Sequence, residues 1–293
     1  MSADPSVVYR SLQRAACEER AFVLLAVSIS SEIRAAELLF ELLVDVSEAP
    51  RAQAQLQLYE RERRPAPPLP PAPAALPGAW MGAVAYVLVL VGVALAVSNA
   101  WWRVDAFTVG ELDAAQVQAG QWWRAWTALT LHLDGNHLFA NLGAGVWFGY
   151  LAAQVLGSGR AWLIIVTGAA LANWLESRLG PASHRAVGAS TAVFAALGVL
   201  AAHTWRTRLH YRQVWARRWG PLVAGVVLLG WLGSEGAGTD LVAHALGFAV
   251  GCALGATAAL PVVARQLARL PQWLAGLAAL ASIAGAWMLA IYS

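Results

Sequence analysis

The stretch His184-Arg185-Ala186-Val187-Gly188-Ala189-Ser190-Thr191-Ala192-Val193-Phe194-Ala195-Ala196-Leu197-Gly198 decides how the rest of the chain is read. It reads as an apolar helix of membrane-spanning character with the Ser190 hydroxyl at its entrance. Small residues surround that hydroxyl (Gly188, Ala189 and Ala192), so a second helix can approach closely. A serine in this setting is most often bonded back to its own helix or held in a packing contact. Two further stretches change the reading, because histidines stand at the matching ends of two other apolar segments.

The composition sets the class. The chain has 293 residues, 59% hydrophobic and 13% charged, well above the roughly 45–50% apolar content of soluble domains. Apolar runs of about 20 residues between short polar loops mark a multi-span membrane protein. The 15 tryptophans fit, since indoles favour the membrane interface. The net charge of +3 comes from arginine alone, there being no lysine. These arginines cluster in loops, which reads as a topology signal and not as a nucleic-acid surface. Cys17 and Cys252 lie too far apart in the chain's organisation to form a disulfide framework or a cysteine metal site. The run Phe22–Ile29 is too short, and too closely preceded by Glu18, Glu19 and Arg20, to be a cleavable signal peptide.

Outward from the central stretch, spans are expected at about 79–99, 135–155, 160–178, 187–204, 220–236, 239–260 and 270–291. The fifth is the weakest, with its apolar core confined to Pro221–Ser234 and with Trp215 and Trp219 placed to anchor its end. Residues 1–63 differ in composition: a strand at Val7–Arg10, a helix from Ser11 to about Val27, a hairpin within Ile33–Asp45 turning near Ala35-Ala36, and a helix from Ser47 to Arg63 with Pro50 just inside its start. This reads as a small α+β domain without catalytic features, and nothing in it identifies a partner. Residues 64–78 form a proline- and alanine-rich linker. Arg61, Arg63, Arg64, Arg160, Arg206, Arg208, Arg212, Arg217, Arg218, Arg265 and Arg269 all fall on one side of a seven-span arrangement, and the positive-inside rule makes that side the cytoplasm. The N-terminal domain is then inside, the end at Ser293 outside, and the tryptophan-rich segment 100–134 outside and partly embedded.

In this topology the second, fourth and sixth spans run from outside to inside. Each carries its polar residues in its first turns: His132, His137 and Asn141, then Ser190, then Asp240 and His244. Polar groups at that depth are costly and mark function more often than not. His137 and Asn141 are four apart on one helix face. His244 shares a face with Gly247 and Gly251, which clear room for a neighbouring helix. If that neighbour is the fourth span, Ser190 comes within reach of the His244 imidazole, a minimal acyl-transfer pair. The developing oxyanion needs donors, for which His137, Asn141 and the Ser190 backbone N–H are available. Asp240 is one turn before His244 and reads as a residue of the membrane interface or a helix cap, which leaves a dyad and not a triad.

Trp123-Arg124, His132-x4-His137-x3-Asn141, Gly188-Ala189-Ser190 and Ala243-His244-x2-Gly247-x3-Gly251 together resemble the motifs of the rhomboid family of intramembrane serine proteases, over roughly residues 79–260 and in the family's order. The resemblance implies an all-α polytopic membrane protein, with a rhomboid-like six-helix bundle over 79–260 and here a seventh C-terminal span in 261–293, behind the small N-terminal α+β cytosolic domain. It implies a water-filled cavity open to the outside and hydrolysis of peptide bonds in or beside substrate transmembrane helices, with no cofactor and no metal. By the same resemblance Ser190 is the nucleophile, His244 the general base, and His137 and Asn141 the oxyanion donors. His132 is a structural hydrogen-bonding residue, Arg124 braces the outer loop, and the weak fifth span is the lateral gate.

Thr191 stands where the family has glycine, and Phe194 where many members have tyrosine. A glutamate usual in the family's third-span region is replaced by alanine near Ala153, beside Gln154. The partners implied are transmembrane protein substrates and the lipid bilayer, with no nucleic acid. Arginine without lysine, with abundant alanine, points to a bacterial inner membrane. The competing readings are a catalytically inactive rhomboid-like binding or chaperone protein and a metal site built from His132, His137, His244 and Asn141.

Overall fold

A computed structural model of the chain describes residues 5–36, 38–63, 76–207, 215–233 and 240–293, the side chains of 215–218, 229 and 231–233 excepted. The chain divides into two compact units, Met1–Ala72 and Pro73–Ser293. Within the expected linker, positions 64–75 lie outside the described residues, as do Arg208, Arg212 and Ser234.

The first unit is the expected α+β domain. Its elements are β1 (Pro5–Ser11), α1 (Arg14–Ala26), β2 (Ser31–Ala36), β3 (Leu39–Asp45) and α2 (Ala49–Arg63). The antiparallel sheet has the order β1-β3-β2, and the β2–β3 hairpin closes with Ala36 opposite Leu39. Leu24, Ile29, Leu42, Val44, Ala52 and Leu56 form its core. Arg20 is buried against the Tyr9 ring at 4.0 Å and pairs with Glu60. A buried arginine needs such partners, because stranding its charge would be costly.

The second unit is almost wholly helical. It opens with α3 (Ala79–Ser98). An outer segment follows, made of α4 (Ala106–Gly110), β4 (Leu112–Asp113), α5 (Ala114–Gln118), α6 (Arg124–Thr127) and a 3-10 turn (Ala128–Thr130). Then come α7 (Gly135–Leu156), α8 (Ser158–Leu179), β5 (Arg185–Ala186), α9 (Ser190–Thr207), α10 (Trp215–Gly233), α11 (Leu241–Ala258), α12 (Pro261–Arg269) and α13 (Gln272–Tyr292). The centre is α9, with α7, α8, α10 and α11 packed around it. Every residue from Thr191 to Val199 is buried, as expected of a helix that is apolar on all faces.

Among the described residues, α3, α7, α11 and α13 are long and apolar enough to cross a membrane. The other three expected spans differ for physical reasons. The inner face of α8 holds buried Asn173, Glu176 and Ser177, which a helix covered by protein tolerates better than one facing lipid. In α9 the apolar run ends in His203, Thr204 and Arg206. In α10 the apolar stretch among the described side chains is Trp219–Leu228, and Pro221 lies inside the helix.

The helix α12 was not anticipated. It has Pro261 at its start and no buried residue. Arg160 of α8 donates to the carbonyls of Ala268 (3.0 Å) and Leu270 (2.8 Å), satisfying the carbonyls at that end. The last helix, α13, packs on α8 and on the outer segment. Its Trp287 indole donates to the Thr130 hydroxyl at 3.0 Å and lies 4.4 Å from the Trp102 ring.

Candidate active site

The first turn of α7 is set by Asp134, whose carboxylate accepts the His137 N–H at 2.8 Å, the reason such residues begin helices. Asn141, one turn on, is buried. Its side-chain amide donates one hydrogen to the His137 carbonyl at 3.1 Å, and an amide carries two. The Tyr86 hydroxyl donates to the Asn141 carbonyl at 2.8 Å, which fixes this turn against α3.

The segment before Ser190 is held from both sides. Strand β5 pairs with β4 (Leu112 opposite Ala186, Asp113 opposite Arg185), and Arg185 pairs with Glu111 and with Asp113 at 2.9 Å. Gly188 has φ +133° and donates its N–H to the Ala128 carbonyl at 2.9 Å. A Cβ there would stand 2.8–2.9 Å from the His137 ring and 3.8 Å from the Asn141 amide nitrogen. Only glycine suits that backbone and that space. His137 and Asn141 therefore gather at a point two residues before Ser190. The next residue, Ala189, donates its N–H to His132 Nε2 at 3.4 Å, and the His132 and His137 rings lie 5.1 Å apart. Ser190, half-buried, heads α9. The first N–H groups of a helix have no intrahelical acceptor, so they are donors facing the same space.

α9 and α11 lie in register through glycine. A Cβ on Gly247 would sit 2.6 Å from the Thr191 carbonyl oxygen, and one on Gly251 or Gly255 would overlap Ala195 or Val199. The two helices thus advance together in steps of four. The same offset puts His244 level with the residues just before Ser190. Its imidazole is buried and lies 4.4 Å from the Phe194 ring, one turn after Ser190. Asp240 caps α11 by accepting the Ala243 N–H at 3.0 Å, one of the two roles read for it from sequence. The Thr191 Cγ2 methyl points at Gly247, where a Cβ would be 3.2 Å away. The β-branched residue after Ser190 therefore packs into the glycine stripe of α11.

Arg124, buried in the outer segment, donates to the carbonyls of Thr108 (2.9 Å) and Glu111 (3.0 Å) and to the Gln121 side chain (2.6 Å). Burial lowers its pKa, while Asp113 and Glu111 oppose the shift. Burial also pushes His132 down to about 4, with the neighbouring His137 adding to the effect. His132 is thus a neutral imidazole whose Nε2 can accept from the backbone. Ala153 is fully buried in α7, and the Gln154 carbonyl accepts the Leu76 N–H at 3.0 Å. An apolar cavity of about 700 Å³ lies among α3, α8 and α13, bounded by Tyr86, Trp162 and Ile283. Its walls carry few polar groups, and they include Ala189 and Ala192, which flank Ser190.

One group of side chains was missed in the sequence. Glu176 at the end of α8, His184 before β5, and Asp240 offer ligand atoms within 4.8 Å of one another. Among the described residues this is the one cluster of three or more His, Cys, Asp or Glu side chains placed to hold a metal ion, and it contains none of His132, His137 and His244. A glutamate inside an otherwise apolar helix was the available signal. Gly198 and Gly255 were also missed as packing residues, although Gly255 continues the step of four from Gly247 and Gly251.

Residues 119–260 match the family model for the Rhomboid domain. A search of curated proteins finds no match.

Proposed function

We propose that this chain, whose residues 119–260 match the Rhomboid domain, is an active intramembrane serine endopeptidase of the rhomboid family working through a Ser190–His244 dyad. The observation that carries this reading is the bracketing of Ser190: the His244 ring lies on Phe194 one turn after it, and His137 and Asn141 converge on Gly188 just before it. His244 Nε2 or Nδ1 takes the Ser190 proton as Oγ attacks the scissile carbonyl, then hands it to the leaving amine. Water, deprotonated by the same imidazole, releases the acyl group. His137, the Asn141 amide and the Ser190 N–H donate to the oxyanion. His132 holds the backbone of Ala189, Arg124 holds the outer segment, and α10, short in apolar length, is the lateral gate.

On this reading the substrates are transmembrane helices with a locally unstable stretch, presented from the bilayer. The membrane is a bacterial inner membrane with the N-terminal α+β domain cytoplasmic and Ser293 periplasmic, as the arginine distribution favours. The domain organisation is 1–63, linker 64–78, catalytic core 79–260, and the extra span within 261–293.

Thr191 and Phe194 favour a second reading, an inactive family member that binds transmembrane helices without cutting them. A fluorophosphonate probe separates the two. Labelling that maps to Ser190 and is lost in His244→Ala supports the protease; a folded wild type that never labels supports the binding protein.

A further inference from the structure

Glu176, His184 and Asp240 come from three different parts of the chain: the end of α8, the loop leading to Ser190, and the cap of the helix bearing His244. His184 Nε2 lies 3.1 Å from Asp240 Oδ2 and 3.6 Å from Glu176 Oε1. Yet His184 Nε2 and Asp240 Oδ2, though in contact, are not aligned as a hydrogen bond, and with Glu176 Oε2 all three atoms are shut off from solvent with no hydrogen bond made. Glu176 is the decisive member: only 2% exposed, with an unpartnered carboxylate oxygen beside the imidazole. Buried polar atoms are seldom left in that state, and three at one point call for something between them.

Charge sharpens the argument. Two carboxylates face one imidazole, and among the described residues no arginine pairs with either carboxylate. Arg185 is engaged by Glu111 and Asp113, and Arg178 lies over the Trp174 ring. Uncompensated buried carboxylates are costly. The spacing also has a meaning: ligand atoms around a tetrahedral zinc ion at about 2.0–2.2 Å stand roughly 3.3–3.6 Å from one another. The separations of 3.1 and 3.6 Å lie close to that range.

We propose that Glu176, His184 and Asp240 form a binding site for a divalent transition-metal ion, zinc by its one-nitrogen, two-oxygen donor set. A mixed imidazole and carboxylate set favours such ions over calcium or magnesium. Asp240 serves two tasks with separate oxygens: Oδ1 caps α11 and Oδ2 faces the ion. The half-exposed His184 and Asp240 leave a route from solvent. The bound ion ties the end of α8 to the Ser190 loop and to the first turn of α11, fixing the two helices to each other at their open ends. The site stands whether or not Ser190 is a nucleophile.

The test uses the full-length protein in detergent, stripped with chelator and titrated with Zn²⁺ alone, with bound metal counted after desalting and thermal unfolding followed. The wild type should take up about one ion per chain and unfold at a higher temperature when loaded. His184→Asn should weaken binding by more than the roughly 10–100-fold that loss of an outer-shell partner costs, and remove the thermal shift. Asp240→Asn should do the same while keeping the helix cap, since asparagine caps as well as aspartate. His137→Asn should bind like wild type. No uptake by the wild type, as expected if the carboxylates share a proton instead, would overturn the proposal. Equal uptake in His184→Asn, or loss confined to His137→Asn, would overturn it as well.

Discussion

Replacing Gly247 by alanine tests the close approach of α9 and α11 at the level of the proposed Ser190–His244 dyad. The added Cβ would lie 2.6 Å from the Thr191 carbonyl oxygen, against the 3.4 Å at which ordinary contact begins, so the gap must widen by about 0.8 Å. The obstacle is backbone inside a buried helix, which cannot swing aside as a flexible side chain would. Overpacking of this kind costs about 1–3 kcal/mol. The larger effect is on chemistry, because His244 lies one turn away, and a misplacement of about 1 Å can cost on the order of 100-fold. Gly247→Ala should therefore cut turnover of a model transmembrane substrate in proteoliposomes by about 10–100-fold, with a lowered but cooperative thermal transition. Gly143→Ala is the control: nothing lies within 4 Å of its added Cβ, and alanine is favoured over glycine in a helix by about 1 kcal/mol. Wild-type turnover and stability in Gly247→Ala would refute the register described for the two helices.

Asn141→Ala should lower turnover by about 10–1,000-fold with little change in substrate binding, the loss expected for one oxyanion donor; a mutant rate equal to wild type removes Asn141 from that role. Arg124→Ala leaves the carbonyls of Thr108 and Glu111 without their donor, so thermal unfolding should report a loss of about 2–4 kcal/mol and limited proteolysis should open the outer segment first. His132 has its pKa lowered from 6.5 to about 4 by burial. The folded state then binds fewer protons than the unfolded chain between those values, and the stability His132 contributes is full above 6.5 and lost as pH falls toward 4. His132→Gln should flatten that part of the stability–pH curve; an unchanged slope would show that the proton goes elsewhere.

Much of this architecture was legible because single residues were under strong constraint. Pro50 and Ser47 marked the start of α2, and apolar stretches within Ile33–Asp45 marked the hairpin, whose turn falls just after the expected Ala35-Ala36, between Ala36 and Leu39. His137 and Asn141 at a spacing of four, and Gly247 and Gly251 beside His244, exposed two helix faces before any neighbour was known. What stayed hidden was long-range. Glu176, His184 and Asp240 are separated by loops and a whole helix, and no spacing rule joins them. The protein-covered position of α8 also escaped the apolar count, because neighbours and not lipid solvate its polar face. α12 escaped because a helix of 9 residues is too short to stand out beside the long apolar runs.

The proposed dyad pairs the Ser190 hydroxyl with the His244 imidazole at the N-terminal ends of α9 and α11. The most direct measurement is cleavage of a panel of single-pass model substrates in bilayers by the wild type and by Ser190→Ala prepared identically. Cuts in or next to the substrate helix by the wild type, with none from the folded Ser190→Ala protein, are the expected result. The same cuts at the same rate from Ser190→Ala would contradict it.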